Sequence, residues 1–538
     1  MSGASVFDTF DMVVALSQKT INDQLVHLKS MGAIRDKLII WRELVNKDFV
    51  YHVVDNQDQI PGLAGGGDKP TAECIIGELT PRILIAENGT AVTFILGFTG
   101  GQAYFAESMK LVEYDMSGWS YAINVDLNLA ELAAKDIKDH VGIPQHVKDQ
   151  LSGFSQQFFT VQSLFMDLET TQLTNTDPTH TKAGSSGDQG LQTFMFFLWN
   201  YLSKLNPQKN PYILGYSLNT SDKTQFKPDQ RVPPSVEPVG TTFSVTKNPQ
   251  SADLSTINFL LVTKDGSGPI KNNVTYSDVW LTAADKVDGK AIFSHKRLAE
   301  PLLMKPFFDG FKSQIYNSFK GNLGVDAGMS FQDGMHWNGS STYNMTVSQQ
   351  NTHDGDDIYN SSYDVQFNTG HGSGVMTMNS GSLHLYKEHS KNLLLCTARA
   401  HISGTVNWNA NITVKATKDD KGKPILKPDP SPINVTHAPD WSPHLNDCAK
   451  AASVFSHIFG ALLDDLLTFG RTDFFEGLLT DAFDVSIGGF RNVDAAFSNV
   501  GNISQVVYLP AGQVFEFRDP TFSIDGDLAL GLTYLSQN

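Results

Sequence analysis

Trp119-Ser-Tyr-Ala-Ile-Asn-Val-Asp-Leu-Asn-Leu129 decides the fold class. Its odd positions are all apolar or aromatic, and its even positions are polar except for Ala122. Successive side chains on a strand point to opposite faces, so this run has one dry face and one wet face. Val406, Trp408, Ala410, Ile412 and Val414 repeat the pattern, interleaved with Asn407, Asn409, Asn411, Thr413 and Lys415. Both runs exceed the usual five or six residues of a strand. A parallel α/β core would need near-continuous apolar strands, whereas half-buried ones predict long antiparallel sheets. Further β-prone runs at 91–105 (broken by Gly100-Gly101), 212–218, 256–264, 375–386 and 506–535 make strands the dominant element.

Helical signals are fewer. The short β-prone run Asp11–Ser17 leads into Thr20-Ile-Asn-Asp23, which has the form of a capping box. Ile21, Leu25 and Leu28 then recur at helical spacing, and Gly32 supplies a stop. That stripe is narrow, so the helix packs on something larger. Residues 190–205 form a strongly apolar helical segment. In 298–319, Leu303, Phe307, Phe311, Ile315 and Phe319 fall four residues apart, with Pro301 and Pro306 breaking or kinking the start. In 448–469, Phe455, Phe459, Leu463 and Leu467 share the same spacing.

The expected class is therefore α+β, with long, strongly curved antiparallel sheets wrapped around long amphipathic helices in two lobes. Residues 174–189, 220–255 and 415–444 are poor in apolar residues and read as linkers or surface loops. The middle one is the expected boundary between a lobe at 1–219 and a lobe at 256–538.

Composition narrows the function classes. Of 538 residues, 41% are hydrophobic, enough for sizeable cores. The formal charge of −17, from 57 acidic and 40 basic residues, disfavours a nucleic-acid partner. Cys74, Cys396 and Cys448 lie far apart with no CxxC pair, and read as buried thiols in a reducing compartment. No signal peptide or membrane-spanning run is visible, so a cytoplasmic protein is expected.

Catalytic signatures are sparse. There is no G-x-x-x-x-G-K-[ST], H-E-x-x-H or G-x-S-x-G. Gly62-Leu-Ala-Gly-Gly-Gly67 reads as a loop rather than a phosphate cradle, and Gly370-His-Gly-Ser-Gly374 as a turn between strands. Asp354, Asp356 and Asp357 are weak candidates for calcium, which needs six to eight oxygens. A solvated loop is the favoured reading, and His457 reads as a partly buried core histidine. Neither an enzyme nor a cofactor is expected.

What the chain offers instead is apolar area. The candidate lining for an apolar ligand is Ile21, Leu25 and Leu28, Leu303, Phe307 and Phe311, and Phe455, Phe459 and Leu463. Residues 11–28, the run Gly77-Glu-Leu-Thr-Pro-Arg-Ile-Leu-Ile85 with 91–105, and Gly381-Ser-Leu-His-Leu-Tyr386 resemble the tubular lipid-binding (TULIP) superfamily. They are most similar to its bacterial branch, typified by the forty-seven-kilodalton protein of clostridial neurotoxin clusters. The resemblance is strongest over 8–130 and 375–415. It implies a helix cradled by a curved sheet, a lipid or other apolar small molecule as ligand, a membrane surface or toxin protein as partner, and no catalysis. Of the lining, only Ile21, Leu25 and Leu28 map onto it. Two rival readings stand beside it: a membrane-active toxin component using 448–469, which carries Asp464 and Asp465, and an enzyme with a spatially assembled hydrolytic site.

Overall fold

The computed structural model describes residues 6–133, 148, 159–166, 168, 175–205, 211–220, 238–263, 275–296, 332–337, 342–354, 357–369, 372–392, 395–418, 424–431, 434–437, 444–452, 507–509 and 515–534. The chain divides into two compact units. The first comprises Met1–Ile292, Asn502–Glu516 and Gly531–Asn538; the second comprises Phe293–Gly501 and Phe517–Leu530.

The first unit opens with β1 (Met12–Ser17), buried throughout, which runs directly into α1 (Gln18–Ser30). Then follow β2 (Lys37–Val45), β3 (Asp48–Val54), β4 (Cys74–Leu84), β5 (Ala91–Glu107), β6 (Lys110–Asp115), β7 (Ser120–Ala133) and β8 (Phe159–Met166). After them come α2 (Gly187–Leu202), β9 (Ile213–Thr220), β10 (Pro238–Thr246), β11 (Thr256–Thr263) and β12 (Gly289–Phe293). Strands β2–β9 make one open sheet in the order β9-β8-β7-β5-β4-β2-β3, with β6 also on β5. A second sheet runs β10-β11-β1-β12.

The stretch that decided the class behaves as its pattern requires. In β7, Tyr121, Ile123, Val125 and Leu127 are buried, while Asp126 and Asn128 are exposed. Helix α2 buries Phe194, Phe197 and Leu198 against the same sheet. There Phe194 meets Phe98 and Trp119 edge-on at 5.7 and 5.1 Å, and Phe197 stacks on Phe105 at 6.0 Å. The expected break at Gly100-Gly101 is a bulge inside one 17-residue strand. Glu78 pairs with Gly100 but Leu79 pairs with Phe98, leaving Thr99 as the extra residue. Beyond the bulge β5 changes neighbours: residues 91–97 pair with β7 and 102–107 with β6. Gly101 has φ +114°, and a Cβ there would meet the Ile76 carbonyl oxygen at 2.0 Å.

The second unit holds a meander of β13 (Gln332–Trp337), β14 (Thr342–Asp354), β15 (Asp357–Thr369), β16 (Val375–Asn392), β17 (Thr397–Lys418) and β18 (Pro424–Pro430). β19 (Asn434–His437) and β20 (His444–Leu445) also pair with β17, and α3 (Asp447–Ala452) follows. At the end of the chain, β21 (Val507–Tyr508) joins β9, β23 (Leu528–Tyr534) lies beside β12, and β22 (Phe515–Phe522) beside β23.

The coarse class, mostly antiparallel sheet with few helices, holds. The longest helix among the described residues is α2, with 16 residues. The helices expected at 298–319 and across most of 448–469 lie outside the described residues. No described helix is long and apolar enough to cross a membrane.

Several expectations change. The cap of α1 is Ser17 rather than Thr20: its side chain accepts from the Thr20 N–H at 3.0 Å, because strand and helix join without a loop. Residues 175–182 lie along β7, with Ser120 and Lys182 exchanging backbone bonds, so this stretch covers a sheet edge. Of 220–255, residues 221–237 fall outside the described residues and 238–246 form β10. Residues 424–430 form the edge strand β18, where Pro424, Pro428 and Pro430 are tolerated because an edge leaves N–H positions unpaired.

The three thiols are not alike. Cys396 and Cys448 form a disulfide with Cα atoms 6.3 Å apart, because β20 folds back onto the start of β17. Asn446 reinforces this return by accepting from Arg399 N–H at 3.0 Å and donating to the Thr397 carbonyl at 2.9 Å. Such a bond persists in oxidising surroundings, so the expectation that Cys396 and Cys448 are buried thiols is corrected. Cys74 is free and buried.

Gly101→Val should lower unfolding free energy by about 3 kcal/mol or more, measured by urea denaturation, since the clash is with backbone. For Cys74, burial and then the Glu73 charge push the thiol from 9.0 up to about 12. A raised acid binds its proton more tightly when folded, so stability should fall as pH climbs from about 9 toward 12. Denaturation of Cys74→Ala over that range should show a flatter decline, and native protein at pH 8 should not be alkylated at Cys74.

Candidate functional site

The sequence-predicted lining is only partly within view. Ile21, Leu25 and Leu28 are buried on the face of α1 that packs on β4 and β1. Polar clamps fix the helix as firmly as the apolar stripe does. Asn22 imitates a strand residue: its Oδ1 accepts from Ile83 N–H at 2.8 Å and its Nδ2 donates to the Ile83 carbonyl at 3.1 Å. Gln18 Oε1 accepts from Ile85 N–H at 2.7 Å, and Thr20 Oγ1 donates to the Asp288 carbonyl at 2.9 Å. Leu303, Phe307, Phe311, Phe455, Phe459 and Leu463 lie outside the described residues, as does His457.

The acidic candidates fall at the β14–β15 hairpin. Asp354 and Asp357 are register partners across it, and Asp356 lies outside the described residues. Among the described residues no three His, Cys, Asp or Glu side chains are grouped to hold a metal ion. Gly62–Gly67 is a chain of tight turns over a small apolar cluster of Ile39, Ile60, Cys74 and Ile76. A Cβ on Gly67 would meet the Gly62 carbonyl oxygen at 1.9 Å and one on Gly62 the Lys69 carbonyl oxygen at 2.6 Å, so these two glycines serve close backbone packing. Gly372 and Ser373 sit in the turn before β16 and bond the backbone of Phe522.

A different place in the first unit concentrates unexplained features. Strand β2 pairs with β4 only as far as Trp41↔Cys74, and β5 pairs with β4 only as far as Cys74↔Tyr104. Both β2 and β5 run antiparallel to β4, so the β2–β3 and β5–β6 hairpins overrun its first residue in the same direction. Their two-residue turns lie at one end of the sheet. With one strand between them, β2 and β5 are about 10 Å apart.

Glu73, just before β4, ties the two bases together. Its Oε2 accepts from Arg42 Nε at 2.8 Å, while its Oε1 accepts from Ala106 N–H in β5 at 2.8 Å. Arg42 also donates to the Tyr51 hydroxyl at 2.9 Å, and its guanidinium carbon sits 3.9 Å from the Phe49 ring centroid. In the second hairpin Tyr114 donates to Glu107, and that bond, with some burial, raises the phenol pKa.

Beyond this strut several large apolar side chains face water among the polar residues of the two turns. Leu44 is 65% exposed, Phe49 51%, Val45 40% and Val50 39%, and Met109 at the other turn is fully exposed. Register puts Leu44 opposite Phe49 on one face of the first hairpin, and Val45 and Val50 on the other. The turn residues Asn46, Lys47, Ser108 and Met109 all have positive φ, between 48° and 78°. Such turns match the twist of a tight hairpin and favour Asn or Gly. Sequence reasoning missed this end. The usable signal was Leu44-Val-Asn-Lys-Asp-Phe-Val50, in which apolar pairs flank a polar turn instead of fading into it.

No protein-family model and no curated protein matches the chain. Among solved structures, P47 from Clostridium botulinum A2 is similar over 98% of both chains, with 11% identity and a TM-score of 0.47. P47 of Clostridium botulinum E1 is similar over 98% of this chain and 99% of its own, with 13% identity and a TM-score of 0.45.

Arg42 and Glu73 side chains are only 10% and 14% exposed. Glu73→Ala should therefore destabilise the unit by about 3 kcal/mol, because it strands a largely buried guanidinium. Arg42→Met together with Glu73→Gln should recover part of that loss in chemical denaturation.

Proposed function

We propose that the protein is a non-enzymatic binder of lipid or another apolar small molecule, of the tubular lipid-binding type, acting as an accessory to a toxin. One observation supports the binding: large apolar side chains cluster in water at the hairpin end of the first unit. Removing a fully exposed Val, Leu, Phe or Met side chain from water is worth about 1.5–3 kcal/mol, so selection against leaving several together is strong unless something covers them. The long one-sided strands and the seam between α1 and β4 suit the same class. The accessory role rests only on the resemblance of residues 8–130 and 375–415.

Purified protein should carry co-purifying lipid in native mass spectrometry, or take up a fluorescent fatty acid or phospholipid after delipidation. Protein that arrives empty and takes up neither refutes the reading.

A further inference from the structure

We propose that the two hairpin turns at 46–47 and 108–109 form a paired tip that inserts into the surface of a lipid bilayer. This deepens the lipid-binding reading and rests on it, by naming an assembled membrane as the partner and the residues that meet it.

Three features select a bilayer over a protein partner. The first is that the β2–β3 tip carries exposed apolar side chains on both faces, with Asp48 opposite Val45 and Glu43 opposite Val50 on the second. Leu44 and Phe49 project from one side and Val45 and Val50 from the other. A protein docking on a strand covers one face; a medium that surrounds the tip covers both.

The second is area. Four side chains on one turn and Met109 on the other amount to on the order of a few hundred Å². A standard protein interface needs roughly 800 Å² from each partner. The paired tip is too small for a stable protein contact, whereas shallow insertion needs only a few apolar anchors.

The third is the chemistry of the apices. Met109 occupies a left-handed position with φ 65°, where a bulky side chain is disfavoured, and its side chain is wholly in solvent. Folding gains nothing from methionine there. Next to the apolar side chains stand Lys47 and Lys110, one at each turn, whose long stems can lie along the acyl region while the ammonium reaches the phosphate level. Asp48 shares the first apex with Lys47. Glu107 is the register partner of Lys110 beside the second turn and accepts from Tyr114; Glu43, opposite Val50, is engaged by His52 at 3.0 Å, while Glu113 and Asp115 lie farther down β6.

The strut through Glu73 makes this a rigid two-pronged device. Because both hairpins are tied at their bases, insertion of one tip brings the other to the same surface.

Flotation with phosphatidylcholine vesicles containing one quarter phosphatidylserine tests the proposal, using the full chain. Wild type should float with the vesicles. Met109→Asn, which suits a left-handed turn and should fold normally, should lower partitioning at least fivefold, and Val45→Asn with Met109→Asn at least twentyfold. Met109→Trp should raise partitioning, with tryptophan emission quenched by brominated lipid. Lys47→Gln with Lys110→Gln should weaken binding severalfold on these vesicles but not on pure phosphatidylcholine. Wild-type flotation unchanged in the asparagine variants would overturn the proposal. Protein that takes up monomeric lipid yet never floats would also overturn it, while leaving the lipid-binding reading intact. Failure of both uptake and flotation removes both.

Discussion

Thr99 is one residue more than β4 can match, and the arrangement of the first unit depends on that surplus. Gly100 and Gly101 let β5 absorb the extra residue where the Ile76 carbonyl leaves no room for a side chain. A bulge bends its strand and increases local twist. Here it lets one strand serve β7 along its first half and β6 along its second, on the same edge. The β5–β6 hairpin can then depart from the sheet while the aromatic layer under α2 stays continuous.

Charged and polar groups do their structural work at junctions. Asn22 supplies β4 with the donor and acceptor of a missing strand neighbour, which pins a helix whose apolar stripe alone would permit rotation. Glu73 spans two hairpins with its two oxygens, and Arg42 answers it with a guanidinium packed on Phe49. A mostly buried ion pair contributes little net stability over an apolar pair of the same shape. Its contribution here is geometric, since a greasy contact would fix neither the spacing nor the direction of the hairpins.

How much of this was legible varies with the kind of signal. The alternation in 119–129 was reliable because a strand with one dry face has a period of two whatever its neighbours do. Met12-Val-Val-Ala-Leu-Ser17 was harder: β1 is buried on both faces, so its run is continuous and says only that it lies deep. The cap of α1 was misplaced by three residues because Ser17 ends a strand and begins a helix at once. The proline-rich 424–430 looked like a linker because composition does not distinguish an edge strand from a loop. Cys396 and Cys448 are 52 residues apart, and only the return of β20 onto β17 brings them together. The hairpin end was invisible for a related reason. Leu44 and Met109 look like ordinary apolar residues until the strand order places both at one rim and leaves them uncovered.

The same strand order has a consequence for synthesis on the ribosome. Met12 pairs with Leu261, and β1 lies between β11 and β12, the latter flanked by β23 at the far end of the chain. At roughly 5–20 residues per second, the emerging amino-terminal strand waits more than ten seconds for its first neighbour and about twice as long for the sheet to be finished. Throughout that interval Met12–Ser17, an apolar segment with no partner of its own, must be shielded by a chaperone or by transient company, and any premature stop in translation leaves it bare.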